Sequence, residues 1–301
     1  MSRKILLIEP AYKNKYPPLG LMKISAYHKM LGDDVTFFKG KSDELREIKW
    51  DRIYITTLFS FYWNITIDTI KFYKRSVKKT KDFYIGGIMA SLMADEIYDE
   101  IHIKSIVGLL DKPKMLNDNN DIIVDHVVPD YDILEEIDYA YPTNDAYFFY
   151  TTRGCVRKCP FCAVPKLEPK YKSYISIREQ IKEIDKKYGC KKNLLLLDNN
   201  VLASKHFPRI IEEIKEIGFY KGAKYQSPLR NKTCGLRYVD FNQGIDPRFI
   251  TEEKMRLLSE IPINPLRIAF DTLEYKKKYI QAIELAAKYG IKNLSNSELM
   301  T

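Results

Sequence analysis

The stretch Tyr150-Thr-Thr-Arg-Gly-Cys-Val-Arg-Lys-Cys-Pro-Phe-Cys-Ala-Val-Pro165 holds three of the chain's five cysteines, Cys155, Cys159 and Cys162, within eight residues. Their spacing is C-x3-C-x2-C. Gly154 lets the backbone turn as it leaves the preceding β-branched and aromatic run, and Pro160 keeps the segment out of a regular helix. Three thiolates on one short loop can then converge on one metal centre, with Arg157 and Lys158 offsetting part of their charge. The number is informative, because structural zinc wants four closed ligands and an iron–sulfur cube is normally held by four cysteines. Either one position stays open for a substrate or cofactor, or a distant Cys190, Cys234 or His206 closes the set as in a structural zinc or closed-cluster site. Cys190 falls in a predicted helix-to-strand turn and Cys234 in a basic loop, which makes both read as bystanders.

Outward from this loop the sequence alternates strand-like and helix-like segments. After it, strands are expected at 146–151, 193–197, 238–241 and 266–270, with a weak fifth near Ile291. Helices are expected at 177–188, 207–217, 252–260 and 276–289. Polar residues gather just past each strand, in Arg153-Gly154-Cys155, Asp198-Asn199-Asn200, Asn242-Gln243-Gly244-Ile245-Asp246 and Asp271-Thr272. A β/α barrel keeps its active site on that rim. Before the loop, strands at 4–9, 35–38, 52–58 and 82–85 alternate with helices at 20–31, 64–79 and 88–98, the pattern of a Rossmann-type parallel sheet. The loop after the first strand, Pro10 to Gly20, lacks the glycine-rich phosphate fingerprint, which argues against an ordinary dinucleotide site. Gly86-Gly87 reads as a tight strand-to-helix turn. Turn-forming residues at 111–121, 129–132 and 141–145 set the domain boundary, giving an α/β chain with a Rossmann-like domain at 1–142 and a partial β/α barrel at 146–301.

The chain of 301 residues is 45% hydrophobic and 30% charged, a globular composition. No apolar run approaches the roughly 20 residues of a membrane span, and Glu9-Pro10 cut the N-terminal apolar run too short for a secretory signal. A cytoplasmic, reducing location is expected, where clustered cysteines bind metal or do redox chemistry rather than form disulfides. The net charge of +9 is spread, as in Lys71, Lys74, Lys78, Lys79 and Lys81. It reads as a solvated face, with a nucleic-acid footprint as the alternative, although no nucleic-acid-binding pattern accompanies it.

Cys155–Cys162, with Phe161 ahead of the last cysteine and a β/α series behind it, resembles the cluster motif of the radical S-adenosylmethionine (radical SAM) superfamily. The resemblance implies that Cys155, Cys159 and Cys162 hold a 4Fe-4S cluster whose open iron chelates S-adenosylmethionine. Reductive cleavage would then give methionine and a 5′-deoxyadenosyl radical that abstracts hydrogen from a substrate, the electron coming from a donor such as flavodoxin or ferredoxin. It further implies Phe161 near the adenine. Asp198-Asn199-Asn200 stands where the family often has a Gly-Gly-Glu-like stretch for the methionine amino group. Gln243, Asp246 and Asp271 are candidates for cofactor or substrate contact, with a helix cap or loop hydrogen bond as the alternative. Pro17–Tyr27 and the sheet pattern around it resemble the N-terminal domain of cobalamin-binding radical SAM proteins. None of His28, His102, His126 and His206 lies in a D-x-H-x-x-G pattern; cobalamin is then held without that histidine, or the domain has lost it. The family's barrel commonly runs to about six β/α units. The sequence predicts a barrel cut short at its fifth strand, its remaining wall supplied by another chain, absent or lost to truncation; a truncated, inactive relative that keeps the cluster is the alternative to an enzyme. The substrate and the reaction subtype have no motif.

Overall fold

A computed structural model describes residues 2–226 and 233–297, the side chains of 233, 234 and 297 excepted. The chain divides into two compact units, Met1–Asn144 and Asp145–Thr301. Among the described residues no helix is long and apolar enough to cross a membrane.

In the first unit β1 (Lys4–Glu9), α1 (Leu19–Met30), β2 (Asp34–Lys39), α2 (Asp43–Glu47), β3 (Arg52–Thr57), α3 (Trp63–Tyr73), β4 (Phe83–Gly87), α4 (Ile88–Leu92) and α5 (Ala94–Ile101) follow in order. The strands form one parallel sheet, β2-β1-β3-β4. Helices cover both faces, so β1 is apolar throughout rather than alternating, with Ile5, Leu6, Leu7 and Ile8 all fully buried. Leu6, Ile8, Ile53, Ile55 and Ile85 pack with Ile67 and Ile70 of α3 and Ile97 and Ile101 of α5 in one core.

Two expected helices differ from their sequence reading. The helix expected at 64–79 stops at Tyr73, because Val77 forms a parallel bridge with Trp50. There Trp50 N–H donates to Ser76 O and Lys78 N–H to Trp50 O. The helix expected at 88–98 breaks at Met93, which caps α4 and starts α5. Gly87 has φ of +108°, and a Cβ there would lie 2.2 Å from Thr57 O. That close approach is to the neighbouring strand's backbone, which accounts for the glycine without a ligand.

Where a dinucleotide fold has a glycine loop, a polar knot stands instead. The buried Glu9 carboxylate accepts from Lys39 Nζ (2.6 Å), Asn14 Nδ2 (2.9 Å) and Tyr141. Asn14 Nδ2 also donates to Tyr16 O, which shapes the 10–20 segment from within.

The opposite edge of the sheet is closed by ion pairs. Asp33 takes Arg3 and His28, and Asp118 takes Arg3, Arg52 and Tyr27. His28 is fully buried, with Nδ1 2.7 Å from Asp33 Oδ2 and Nε2 2.9 Å from Tyr54 Oη. Those partners suit a neutral ring that donates to Asp33 and accepts from Tyr54. Burial lowers its pKa to about 4, against the opposing pull of Asp33.

Between pH 6.5 and 4 the unfolded chain therefore binds a proton that the folded chain refuses, so folding stability falls as pH falls through that window. The loss from this one group amounts to at most about 3 kcal/mol. Thermal unfolding across that range should show the decline, and His28→Gln should flatten it while lowering stability at pH 7.5. An unchanged pH slope in the variant would contradict the assignment.

The second unit contains β5 (Ala146–Phe149), α6 (Val164–Leu167), α7 (Arg178–Tyr188), β6 (Asn193–Leu196), α8 (Phe207–Glu216), β7 (Lys224–Gln226), β8 (Thr233–Leu236), β9 (Val239–Phe241), α9 (Glu252–Leu258), β10 (Leu266–Ala269), α10 (Lys276–Lys288) and β11 (Leu294–Ser297). The parallel sheet β5-β6-β9 meets the parallel pair β10-β11 through an isolated parallel bridge, Ile245 to Ile268. Arg267 pairs with Asp240 at 2.8 Å across that seam. The antiparallel β7-β8 pair and the short α6 are not anticipated by the sequence reading. Because the five long-range strands are parallel, the segment after each leaves from the same edge.

Candidate functional site

At that edge the cysteine loop is tied at its neck. Asp198, just past β6, is fully buried. Its Oδ1 accepts from Thr151 N (3.0 Å), Thr151 Oγ1 (2.8 Å), Thr152 Oγ1 (2.7 Å) and Thr152 N. Burial pushes the Asp198 carboxyl up and these donors oppose it. The exit of β5 is thereby fixed to the exit of β6.

Next along the chain, Arg153 lies 3.7 Å from the Tyr150 ring centroid and pairs with Glu168 at 2.7 Å. Glu168 also accepts from Gly154 N (2.6 Å) and Asn199 Nδ2 (2.8 Å), and Arg153 and Lys172 exchange backbone hydrogen bonds. Gly154 has φ of +69°, and a Cβ there would lie 2.6 Å from Lys170 O and 2.8 Å from Glu168 O. The loop from 154 to 168 thus closes on itself, and only glycine fits where it closes.

Within the loop the three cysteines are partly exposed. Arg157 N lies 3.3 Å from Cys155 Sγ, and Cys162 N donates to Cys159 O at 3.0 Å. Burial raises the Cys162 thiol pKa, and the negative charge of Cys155, Cys159 and Asp271 raises it further, which places these groups within electrostatic reach of Cys162. Asn200 Nδ2 lies 3.4 Å from Cys155 Sγ and 3.3 Å from Asp246 Oδ2. Asp246 in turn holds Arg248 in a fork, Nε to Oδ1 at 2.6 Å and Nη2 to Oδ2 at 2.7 Å. Asp246 above all, with Tyr275 and Cys159 adding to it against burial, keeps the Arg248 pKa above the usual arginine range. Asp271 is raised chiefly by burial, with Asp246 acting the same way and Arg248 against it.

A cleft of about 470 Å³ opens beside the loop, bordered by Cys159, Pro160, Phe161, Arg248, Thr272 and Tyr275. Asn200 Oδ1 and Thr272 Oγ1 are buried here without a hydrogen-bond partner.

The residues expected from the sequence therefore separate. Cys155, Cys159, Cys162, Asn200, Asp246 and Asp271 come together, and Phe161 is exposed on the cleft wall. Asp198 is turned inward onto Thr151 and Thr152, and Asn199 onto Glu168; both act on the loop's neck. Gln243 is exposed in the turn after β9. Cys190 lies before β6, at the other end of the sheet, bonded to Tyr147 and near Arg237. The length of the β5–β6 pairing, at least about 10 Å, separates it from the loop. The side chain of Cys234 is outside the described residues, and the His206 ring lies against Tyr174. Among the described residues no three His, Cys, Asp or Glu groups are arranged to hold a single metal ion.

Arg248, Glu168 and Tyr275 were missed by the sequence reading. For Arg248 a signal existed: a cation two residues past a rim aspartate in Asp246-Pro247-Arg248.

Gly154→Ala tests the neck. Gly222 also has positive φ, +84°, but a Cβ there would meet nothing within 4 Å. Both alanines carry the left-handed cost of about 1–2 kcal/mol; the clash should make Gly154→Ala worse by roughly a further 1–3 kcal/mol. Chemical denaturation of the two variants compares them, and equal losses would contradict the neck.

The radical SAM superfamily model matches residues 149–301, just over half of the chain. None of the curated proteins matches the chain in sequence. Among solved structures, the radical S-adenosylmethionine methyltransferase TsrM from Kitasatospora setae, with cobalamin and a [4Fe-4S] cluster bound, is similar with a TM-score of 0.66 at 15% identity, over 98% of this chain and 69% of TsrM. TsrM with tryptophan substrate and the SAM analogue aza-SAM gives 0.65 at 15% identity, over 97% of this chain and 67% of that one. At such identity the likeness is one of fold, and it runs through both units. With its cysteine loop on the rim of a parallel β/α sheet and the family model matched across that unit, the chain belongs to the radical SAM superfamily.

Proposed function

We propose that this chain is a radical SAM enzyme that holds a [4Fe-4S] cluster through Cys155, Cys159 and Cys162 and binds S-adenosylmethionine at the remaining iron. The observation that carries the reading is a tied loop with three partly exposed thiols, Cys159 on the wall of a cleft that Thr272 also borders, with unpartnered buried oxygens at Thr272 Oγ1 and, beside Cys155, at Asn200 Oδ1. Such atoms suit a polar ligand, since a buried unmet acceptor costs free energy until something donates to it. Bound there, the cluster and S-adenosylmethionine would supply one-electron reductive cleavage of a carbon–sulfur bond and hydrogen abstraction from a substrate.

The chain's own residues hold and shield. The Asp198 and Glu168 contacts fix the loop, Phe161 and Tyr275 wall the cleft, and Arg248, forked onto Asp246, supplies charge on its border. Flavodoxin or ferredoxin is the expected electron donor, in a reducing cytoplasm.

A cobalamin site in the first unit has a specific observation in its favour. The strand order changes direction between β1 and β3, and such switch points are where open parallel sheets bind ligands. Aromatic rings gather past those strand ends: Tyr12 and Tyr62 at 4.5 Å, Phe61 and Tyr62 at 4.5 Å, Phe59 and Phe61 at 5.3 Å, with Phe61 62% exposed. An aromatic rim of this kind suits a macrocycle held without a histidine, and TsrM, similar over 98% of this chain, was solved with cobalamin. His28 is excluded as a cobalt ligand by its burial at the opposite edge. Methyl transfer is the reaction class that this pairing of cofactors supports.

Anaerobic reconstitution should yield about four irons per chain. Serine at Cys155, Cys159 or Cys162 should abolish that uptake, and Cys190→Ser should leave it intact. With reductant, S-adenosylmethionine should be cleaved. Zinc in place of iron, or iron binding that depends on Cys190, would overturn the reading.

A further inference from the structure

One of the three cysteines is joined to a cation by a chain of polar contacts that comes from outside the loop. From Cys155 Sγ it runs to Asn200 Nδ2 (3.4 Å), on to Asp246 Oδ2 (3.3 Å) and through the fork to Arg248 (2.6 and 2.7 Å), which borders the same cleft as Cys159. Asn200 is supplied by the segment after β6, Asp246 and Arg248 by the segment after β9.

Asn200 and Asp246 are nearly buried, and Arg248 lies 4.5 Å from the Tyr275 ring centroid. The bridge is therefore held from both ends before anything binds. We infer that Asn200, Asp246 and Arg248 form a positioning bridge that donates a hydrogen bond to the sulfur of Cys155, sets the Arg248 cation beside the cysteine loop and raises the reduction potential of the cluster held there. Cys162 lies outside this bridge. The inference rests on the cluster reading above.

The physical argument is one of charge. Reduction adds an electron to a cluster whose thiolates already carry negative charge. Donors aimed at those sulfurs stabilise the reduced form more than the oxidised one, as hydrogen bonds to cluster sulfurs do generally. Arg248 carries a positive charge that cannot be lost by deprotonation, and it offsets Asp246, whose bare carboxylate would oppose the added electron. Asp246 orients both Asn200 and Arg248, the first through Oδ2 and the second through its fork. Asn200 gives one amide nitrogen to two acceptors, so its bond to Cys155 is shared with Asp246.

The test is spectroelectrochemical titration of the reconstituted full chain, followed by electron paramagnetic resonance, with iron content measured on the same samples. Arg248→Gln and Asn200→Ala should each keep full iron. Arg248→Gln should lower the reduced-to-oxidised ratio at a fixed potential about tenfold, about 59 mV for one electron. Asn200→Ala should lower it by a smaller factor, and Arg248→Lys should restore most of the ratio by returning the charge.

Ratios unchanged within twofold in both of the first two variants, at full iron, would overturn the bridge. Loss of iron from all three variants would also overturn it, because donors to sulfurs already held by cysteine are dispensable for retention. Failure of the wild-type chain to take up iron would instead remove the cluster reading, and is scored separately.

Discussion

The buried Asp198 carboxylate is the contact on which the site's geometry depends. It accepts from two backbone N–H groups and two hydroxyls of Thr151 and Thr152, with no cation among the partners described for it. Such an anion is tolerable in the interior because donors surround it, and each donor would be orphaned without it at roughly 1–3 kcal/mol apiece. The exit of β5 therefore cannot drift relative to β6. Arg153 and Gly154 leave that anchored point in a set direction and meet Glu168, and only then does the chain run out into the three cysteines. The sulfurs inherit their positions from a carboxylate that touches none of them.

That hierarchy explains which parts were legible in the amino-acid order. Strands buried on both faces write themselves as continuous apolar runs, and helices covering them repeat at helical intervals. Lys4–Glu9 was read to the residue, and other strands to within one or two. The cysteine loop was legible because its spacing is itself the ligand geometry.

What sequence could not convey was the direction of each polar side chain. Asp198, Asn199 and Asn200 are consecutive, yet one points into the core, one to the loop's neck and one to a cysteine. At a strand's exit the backbone turns, and the partner that captures each side chain comes from elsewhere in the chain. Arg248 illustrates the same point, since its importance comes from Asp246, Tyr275 and Cys159 meeting around it. The β7-β8 pair went unread because its runs of three and four residues are too short and polar to carry a period.

The two units use buried polarity differently. In the first, ion pairs of Arg3, Arg52, Asp33 and Asp118 close one sheet edge, and the Glu9 knot occupies the other where a phosphate loop would otherwise lie. These groups have met their partners and serve the fold. In the second, Asn200 Oδ1 beside the Cys155 contact and Thr272 Oγ1 on the cleft border have not, and Ser105 Oγ and Ser295 Oγ are likewise unmet elsewhere. What sets the first two apart is their place by the cysteine loop, where a polar ligand could meet them.

The account turns on an iron–sulfur cube with one corner left to a small molecule. Mössbauer spectroscopy of the iron-57-reconstituted chain, with and without S-adenosylmethionine, reads that corner directly. One iron in about four should move to a distinct isomer shift when the cofactor is added. Four irons that stay alike with and without it would mean that the corner is already closed, and the central claim would fall.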